Sequence, residues 1–291
     1  MRTNRMSRYS INFIFTIISF LFVVPLLYII SISLSSDEDI AANGYKLIQT
    51  NLSFSAYKYI FNDPSQIINS YFVSIFVTVV GTFTSLLFCT MLAYTISRPD
   101  FKYKNIITFL VFFTMLFNGG LVPSYILITK YLHLADSIFA LILPYVINSW
   151  NVLLLRGFLM SIPMSVIESA KIDGAKEYRI FFSIILHLSK PALSAVGLLI
   201  AFMYWNDWWL SLLYIESSEK MPLQYLLYRI MANLSYLTSH MSQILSIDIK
   251  KFPSESARMA MCILAAGPML IVFPFFQRHF VKGITLGAVK G

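Results

Sequence analysis

Only 14 of the 291 residues are acidic, so the positions of the acids limit what chemistry the chain can perform. Three placements stand out. Asp207 sits in Trp205-Asn206-Asp207-Trp208-Trp209, inside an apolar run. Aromatic rings beside amides and carboxylates suit a carbohydrate, since rings cover its C–H face while polar groups take its hydroxyls. Trp near a helix end also suits an interfacial belt, and both readings stand. Glu168 and Asp173-Gly174 fall in a charged stretch between apolar runs. Asp37-Glu38-Asp39 forms a third cluster, either a solvated loop or a docking point for an external partner. The histidines, His133, His187, His240 and His279, are scattered without metal-ligand spacing, so no metal site is expected. Cys89 and Cys262 lie in apolar runs and read as free thiols that pack. No G-x-x-x-x-G-K-[ST] loop occurs, so no P-loop nucleotide site is expected on this chain. No nucleophile, base or metal set clusters within the apolar runs, which argues against a membrane-embedded enzyme.

The elements that must position these residues follow from composition. Apolar residues make up 57% of the chain and charged residues 12%. A soluble domain has about 45–50% and about 25%. So little charge cannot cover a soluble core of this size, and disorder is excluded because disordered chains are charge-rich. Crossing a bilayer takes about 20 mostly apolar residues in a helix. Six stretches qualify: Ser10–Leu34, Tyr71–Ile96, Ile106–Tyr131, Ser137–Met160, Ala192–Tyr214 and Arg258–Phe280. None alternates with period two as a barrel strand would. Arg2, Arg5 and Arg8 precede the first, but its run is longer than a signal-peptide core, so it reads as a retained anchor. The expected fold class is an all-α polytopic membrane protein with six transmembrane helices, one membrane domain over residues 1–291.

Two spans carry internal features. Asn118-Gly119-Gly120, followed by Pro123, interrupts the third. Broken backbone at membrane depth survives only where protein or a water-filled cavity covers it. A kink is the default reading and a pathway-lining break the alternative. In the second, Ser74, Thr78 and Thr82, with Gly81 and Ser85, mark a face for close helix packing.

The net charge of +8 reads as orientation. With the loops numbered from the N-terminus, fourteen of the 22 Lys and Arg fall on one side and eight on the other. The richer side is cytoplasmic by the positive-inside rule, so both termini are expected inside and no nucleic acid is called for. Residues 35–70 and 215–257 then face out, and residues 281–291 form a cytoplasmic tail.

Residues 161–191, on the cytoplasmic side, carry the strongest local pattern. Pro163 suits a first helical turn, with Ser161 as a cap upstream. Val166, Ile167, Ala170 and Ile172 read as an apolar face. Gly174 suits a left-handed helix end. A second helix from about Lys176, with Tyr178, Phe181, Phe182 and Ile185 apolar, runs to Pro191. The product is a helix–turn–helix elbow.

Glu168-Ser169-Ala170-x-x-Asp173-Gly174-Ala175, then Ile184-x-Leu186, resembles the EAA loop of ABC importer permeases, E-A-A-x-x-D-G-A followed by I-x-L-P. Ser169 stands for the second motif residue, and His187 for the proline, with Pro191 close behind. Asn118-Gly119-Gly120-Leu121-Val122-Pro123, Trp205-Asn206 and the ending Gly287-Ala288-Val289-Lys290-Gly291 resemble the carbohydrate-uptake branch of maltose-type and lipoprotein-like permeases. The resemblance implies the type I ABC importer permease fold and the second permease subunit of a heterodimer in a bacterial plasma membrane. It implies a second permease, two cytoplasmic ATPase subunits, an external solute-binding protein and a carbohydrate, most simply an oligosaccharide, beside membrane lipid. This chain would bind no cofactor; ATP and Mg would sit on the ATPase subunits. Glu168, Ser169, Ala170, Asp173, Gly174 and Ala175 would couple to the ATPase without doing chemistry. Asn118, Trp205, Asn206 and Asp207 are candidates to line the substrate pathway, and Lys290 and Gly291 belong to the characteristic ending. The competing readings are an ion-coupled secondary transporter, which would need more buried acids or broken repeats, and an ABC permease for a non-sugar solute.

Overall fold

The computed structural model describes residues 5–48, 51–236 and 255–288. These are helical, without strands among the described residues. In chain order they are α1 (Arg5–Ser33), α2 (Asp37–Asn43), α3 (Ser55–Ile60), α4 (Pro64–Ser97), α5 (Lys104–Leu116), α6 (Leu121–Tyr131), α7 (Phe139–Tyr145), α8 (Ser149–Leu159), α9 (Met164–Ile172), α10 (Glu177–Leu188), α11 (Lys190–Trp205), α12 (Trp209–Tyr214), α13 (Leu223–Tyr236) and α14 (Glu255–Ala288). The chain divides into two compact units, residues 1–67 with 227–268, and residues 68–226 with 269–291.

In the first unit, α1 turns Phe13, Phe20 and Phe22 outward, an apolar surface suited to hydrocarbon. The Asp37-Glu38-Asp39 cluster is the first turn of α2, where the helix dipole favours negative charge. Ser36 caps it by accepting from Asp39 N at 3.2 Å. Asp37 also caps α14: its carboxylate accepts from Glu255 N and Ser256 N at 3.0 Å each, and from Ser256 Oγ at 2.7 Å. Asp37 therefore serves the fold, while Glu38 beside it is exposed.

In the second unit, the long α4 is packed by the small-residue face its sequence carries. A Cβ on Gly81 would lie 2.7 Å from the Tyr204 ring, and one on Gly197 would lie 2.9 Å from Leu86 Cδ1. The rigid Tyr204 ring leaves no room for a side chain at Gly81, whereas at Gly197 the near atom is the movable end of Leu86. Ser74 accepts from Leu223 N at 2.7 Å and so begins α13. Thr84 and Thr90 return their hydroxyls to the carbonyls of Val80 and Leu86, which hides a polar group that hydrocarbon would not solvate.

Three helices, Ile11–Ser33, Pro64–Ser97 and Glu255–Pro274, are each long and apolar enough to cross a membrane. Three bent pairs bring the candidate number to six: α5 with α6 at 111°, α7 with α8 at 50°, and α10 with α11 at 81°. The third span is thus not kinked but turned back on itself. Gly120, at φ +92°, and the Asx turn of Asn118, whose Oδ1 accepts from Gly120 N at 2.8 Å, make the reversal. The fifth stretch is interrupted at Asn206–Trp208, and its apolar continuation lies upstream in α10. Within the segment read as a long external loop, α13 is a full helix that buries Leu223, Leu227 and Leu234. Their spacing of four and seven is a helical stripe the sequence displayed. The helix of the last span runs on to Ala288, through most of the segment read as a tail. Lys290 and Gly291 lie outside the described residues.

Candidate functional site

The elbow is built as its sequence directs, with three corrections. Pro163 is not inside the first turn but is the N-cap itself, at ψ 133°. Ser161 does not cap α9; its hydroxyl donates back to Phe158 O at 2.7 Å. The apolar face consists of Ile167 and Ala170, 5% and 7% exposed, while Ile172 is 86% exposed. Ile172 is five residues from Ile167, about 140° around a 3.6-residue helix, so it cannot share that face.

Gly174 ends α9 as expected. It lies at φ +79°, and its N–H donates to Lys171 O at 3.0 Å, while Ala175 N donates to Ala170 O at 2.9 Å. This pair of bonds is the Schellman ending, whose C′ residue must be left-handed. Open space surrounds a Cβ built on Gly174, so backbone angle and not crowding selects the glycine. Ala170 packs inward, Ala175 is half-buried, and Glu168, Ser169 and Asp173 face out. Neither Glu168 nor Asp173 has a side-chain partner among the described residues. The motif thus splits into an inward half that shapes the elbow and an outward half free to meet something else.

Beyond the glycine, α10 is wound as a π-helix over Ile180–Ile185. Ile180, Phe181 and Ile185 are buried, and Phe181 packs on Tyr94 with ring centroids 5.5 Å apart. Tyr178 is 75% exposed and its ring packs tilted against Phe182 at 4.5 Å. The helix does not stop at His187, where the motif's proline is absent. It breaks at Ser189, just before Pro191, which occupies the first turn of α11. Pro191 thus does that job four residues later.

A charge cluster holds the elbow from behind. Arg98, at the end of α4, has a side chain only 6% exposed. Its Nε and Nη2 donate to Asp100 Oδ1 and Oδ2 at 2.9 and 2.6 Å, and its Nη1 donates to Tyr94 Oη at 3.1 Å. Glu177 lies 3.4 Å from Arg98 Nη2 and 3.0 Å from Lys171 Nζ, and accepts from Tyr94 Oη at 2.9 Å. Lys171 also reaches Asp100 Oδ2 at 3.4 Å. The bidentate Arg98 guanidinium holds the Asp100 carboxyl well below the usual carboxylate range. The Lys171 ammonium is raised, chiefly by its bond to Glu177. In the sequence Arg98 and Lys171 stand only among the fourteen basic residues of the richer side. The signal available was Arg98-x-Asp100 directly after an apolar run; the pairing with Lys171 and Glu177 is tertiary.

The pathway candidates are placed differently. Trp205 is buried at 4% exposure, and Asn206 is exposed, its Nδ2 donating to Phe202 O at 2.9 Å. Asp207 uses both carboxylate oxygens within the fold: Oδ1 accepts from Tyr145 Oη at 3.0 Å, and Oδ2 accepts from Leu210 N at 3.2 Å at the start of α12. Trp208 and Trp209 remain partly exposed and meet edge to face at 5.8 Å. Tyr125 of α6 stacks on Tyr214 at 5.9 Å, which brings the reversed span to α12. Asn118 serves the reversal described above. A further clamp was not foreseen. Asp136, at φ 51°, accepts from Glu216 N at 3.1 Å, Ser217 N at 3.0 Å and Lys220 Nζ at 2.8 Å. Lys220 and the Ser217 hydroxyl hold its carboxyl far below the ordinary value.

Known proteins share this plan. The family described as "Binding-protein-dependent transport system inner membrane component" matches residues 90–286. The polygalacturonan/rhamnogalacturonan transport system permease protein YtcP of Bacillus subtilis (strain 168) is 42% identical over 269 residues, covering 92% of this chain and 93% of that protein. Arabinooligosaccharides transport system permease protein AraQ of the same organism is 30% identical over 98% of this chain and 96% of its own length. A solved bacterial ABC transporter involved in the import of the acidic polysaccharide alginate has a chain that superposes with a TM-score of 0.79. It is 30% identical, covering 96% of this chain and 98% of that one. The apolar spans, the elbow and these matches lead to one conclusion: the chain belongs to the family of binding-protein-dependent transport system inner membrane components, as a membrane-embedded permease.

Proposed function

We propose that this chain is one of two permease subunits of an ATP-driven importer for an oligosaccharide, and that it passes the sugar handed over by an external binding protein. The substrate class is supported by the relatives, named for polygalacturonan, rhamnogalacturonan and arabinooligosaccharides, and by the alginate importer. Uronate-containing oligosaccharides are therefore the first to test. Coupling is supported by the outward half of the elbow. Glu168, Ile172 and Asp173, exposed at a helix end made rigid by its Schellman bonds, and Tyr178, exposed on the second arm, suit a cleft in an ATPase subunit. On this reading the elbow and both termini are cytoplasmic. ATP closes the ATPase pair, the elbows move with it, and the spans switch the cavity from one side to the other. This chain holds no nucleotide; ATP and Mg act on the ATPase subunits.

The deciding experiment is reconstitution of the chain with its cognate second permease, ATPase and binding protein in proteoliposomes. ATP-dependent uptake of labelled oligogalacturonide or a neutral oligosaccharide is expected, with none when either ATP or the binding protein is omitted. Uptake by the chain alone, driven by a proton gradient, would overturn the reading.

A further inference from the structure

Gly174 leaves the elbow with two arms joined at a single left-handed residue. Lys171 stands on one arm, three residues before it, and Glu177 on the other, three residues after. Their 3.0 Å ion pair spans the bend. Both also reach the Arg98–Asp100 pair at the end of α4, each at 3.4 Å. Two cations and two anions, two from the end of α4 and two from the arms of the elbow, thus close one neutral cluster around the turn.

Burial and exposure are divided within it. The Arg98 side chain is 6% exposed, whereas Lys171, Asp100 and Glu177 are 42%, 50% and 56% exposed. Exposed pairs contribute little to stability. A buried guanidinium, by contrast, needs its partners. Arg98 with Asp100 is therefore the anchored half, and Lys171 with Glu177 the half that reaches the elbow. Tyr94 ties the two, since its hydroxyl donates to Glu177 and accepts from Arg98. We propose that Arg98, Asp100, Lys171 and Glu177 form an electrostatic clasp that fixes the angle of the elbow and delivers its displacement directly to the end of α4, so that the four are positioning residues for coupling. A displacement of α9 then moves α4 as one body with the elbow. Without the clasp the elbow keeps only apolar contacts with α4, such as Phe181 on Tyr94, which lack the directionality of the ion pairs.

This inference rests on the elbow being the ATPase-facing element, and its test separates the two. In the reconstituted transporter, Lys171→Gln and Glu177→Gln each remove one exposed member and leave Arg98 paired with Asp100. Co-purification of the ATPase, ATP hydrolysis and uptake per ATP are measured for each. The clasp predicts assembly and hydrolysis close to wild type, with uptake per ATP reduced about five- to ten-fold, the lower range of known coupling effects. Lys171→Arg, which keeps both ion pairs, should restore at least half of the wild-type ratio. Unchanged uptake per ATP in both neutral variants would overturn the clasp, and so would a loss confined to the yield of assembled complex. If the ATPase fails to co-purify even with the wild-type chain, it is the coupling role of the elbow that fails.

Discussion

The elbow and the Asp207 region both place acids in a chain that has few, and they use them in opposite ways. Asp207 gives one oxygen to Tyr145 and the other to Leu210 N, so both of its oxygens already hold the fold together. On the elbow, Glu177 turns inward to a clasp, while Glu168 and Asp173 face out with no partner among the described residues. An acid's role in such a chain is therefore set by which groups claim its lone pairs. Its rarity in the sequence does not decide it. An acid consumed by the fold should affect stability when changed, and an acid left open should affect coupling.

Gly174→Val offers the largest effect. A left-handed β-branched residue costs about 1–2 kcal/mol locally, and the Schellman ending sets the direction of both arms. Uptake should fall to background while membrane insertion and expression remain normal, as read by transport assay beside membrane fractionation. Normal uptake would remove the elbow from the mechanism. Asp207→Ala should act on the other side of the comparison. It strips a helix start of its cap and the Tyr145 hydroxyl of its acceptor, a loss of about 1–3 kcal/mol. Thermal melting of the purified chain in detergent should drop clearly, with uptake per folded molecule retained. If uptake is lost at unchanged stability, Asp207 belongs to the pathway after all.

Gly81→Ala is a control that touches no charge. Its new methyl meets the Tyr204 ring at 2.7 Å, and overpacking of this kind costs about 1–3 kcal/mol. Melting should fall without any change in uptake per ATP. Asp136 gives the smallest effect. Its carboxyl is depressed by Lys220 and Ser217, so its contribution is fully present above the unfolded value of about 3.9. That contribution is lost only as pH falls through the lower folded value. Melting should therefore be insensitive to this group between pH 5 and 7. Asp136→Asn should lower the plateau slightly and flatten the acid limb below about pH 4.

The features legible in the sequence are those set by neighbours along the chain. The Gly174 ending is one, because a left-handed C′ residue follows from local backbone sterics. The break beside Asn118-Gly119-Gly120 is another, although its 111° reversal exceeds the kink that local signals suggest. The stripe around Gly81 was visible as a packing face, but not that Tyr204 fills it. Ile172 is apolar yet outward, because its angle around the helix, and not its side-chain chemistry, sets its face.

The amino-acid sequence by itself determined the all-helical membrane class, the elbow with its turn at Gly174, and the family pattern. All of these depend on hydropathy, local backbone preference or contiguous motif. Only the tertiary structure decided that Asp37 caps α14, that Asp207 is spent on Tyr145 and a helix start, and that Arg98, Asp100, Lys171 and Glu177 meet. Those pairings join residues up to 219 positions apart, and a carboxylate's partner at that range is chosen by helix packing, which no local pattern encodes.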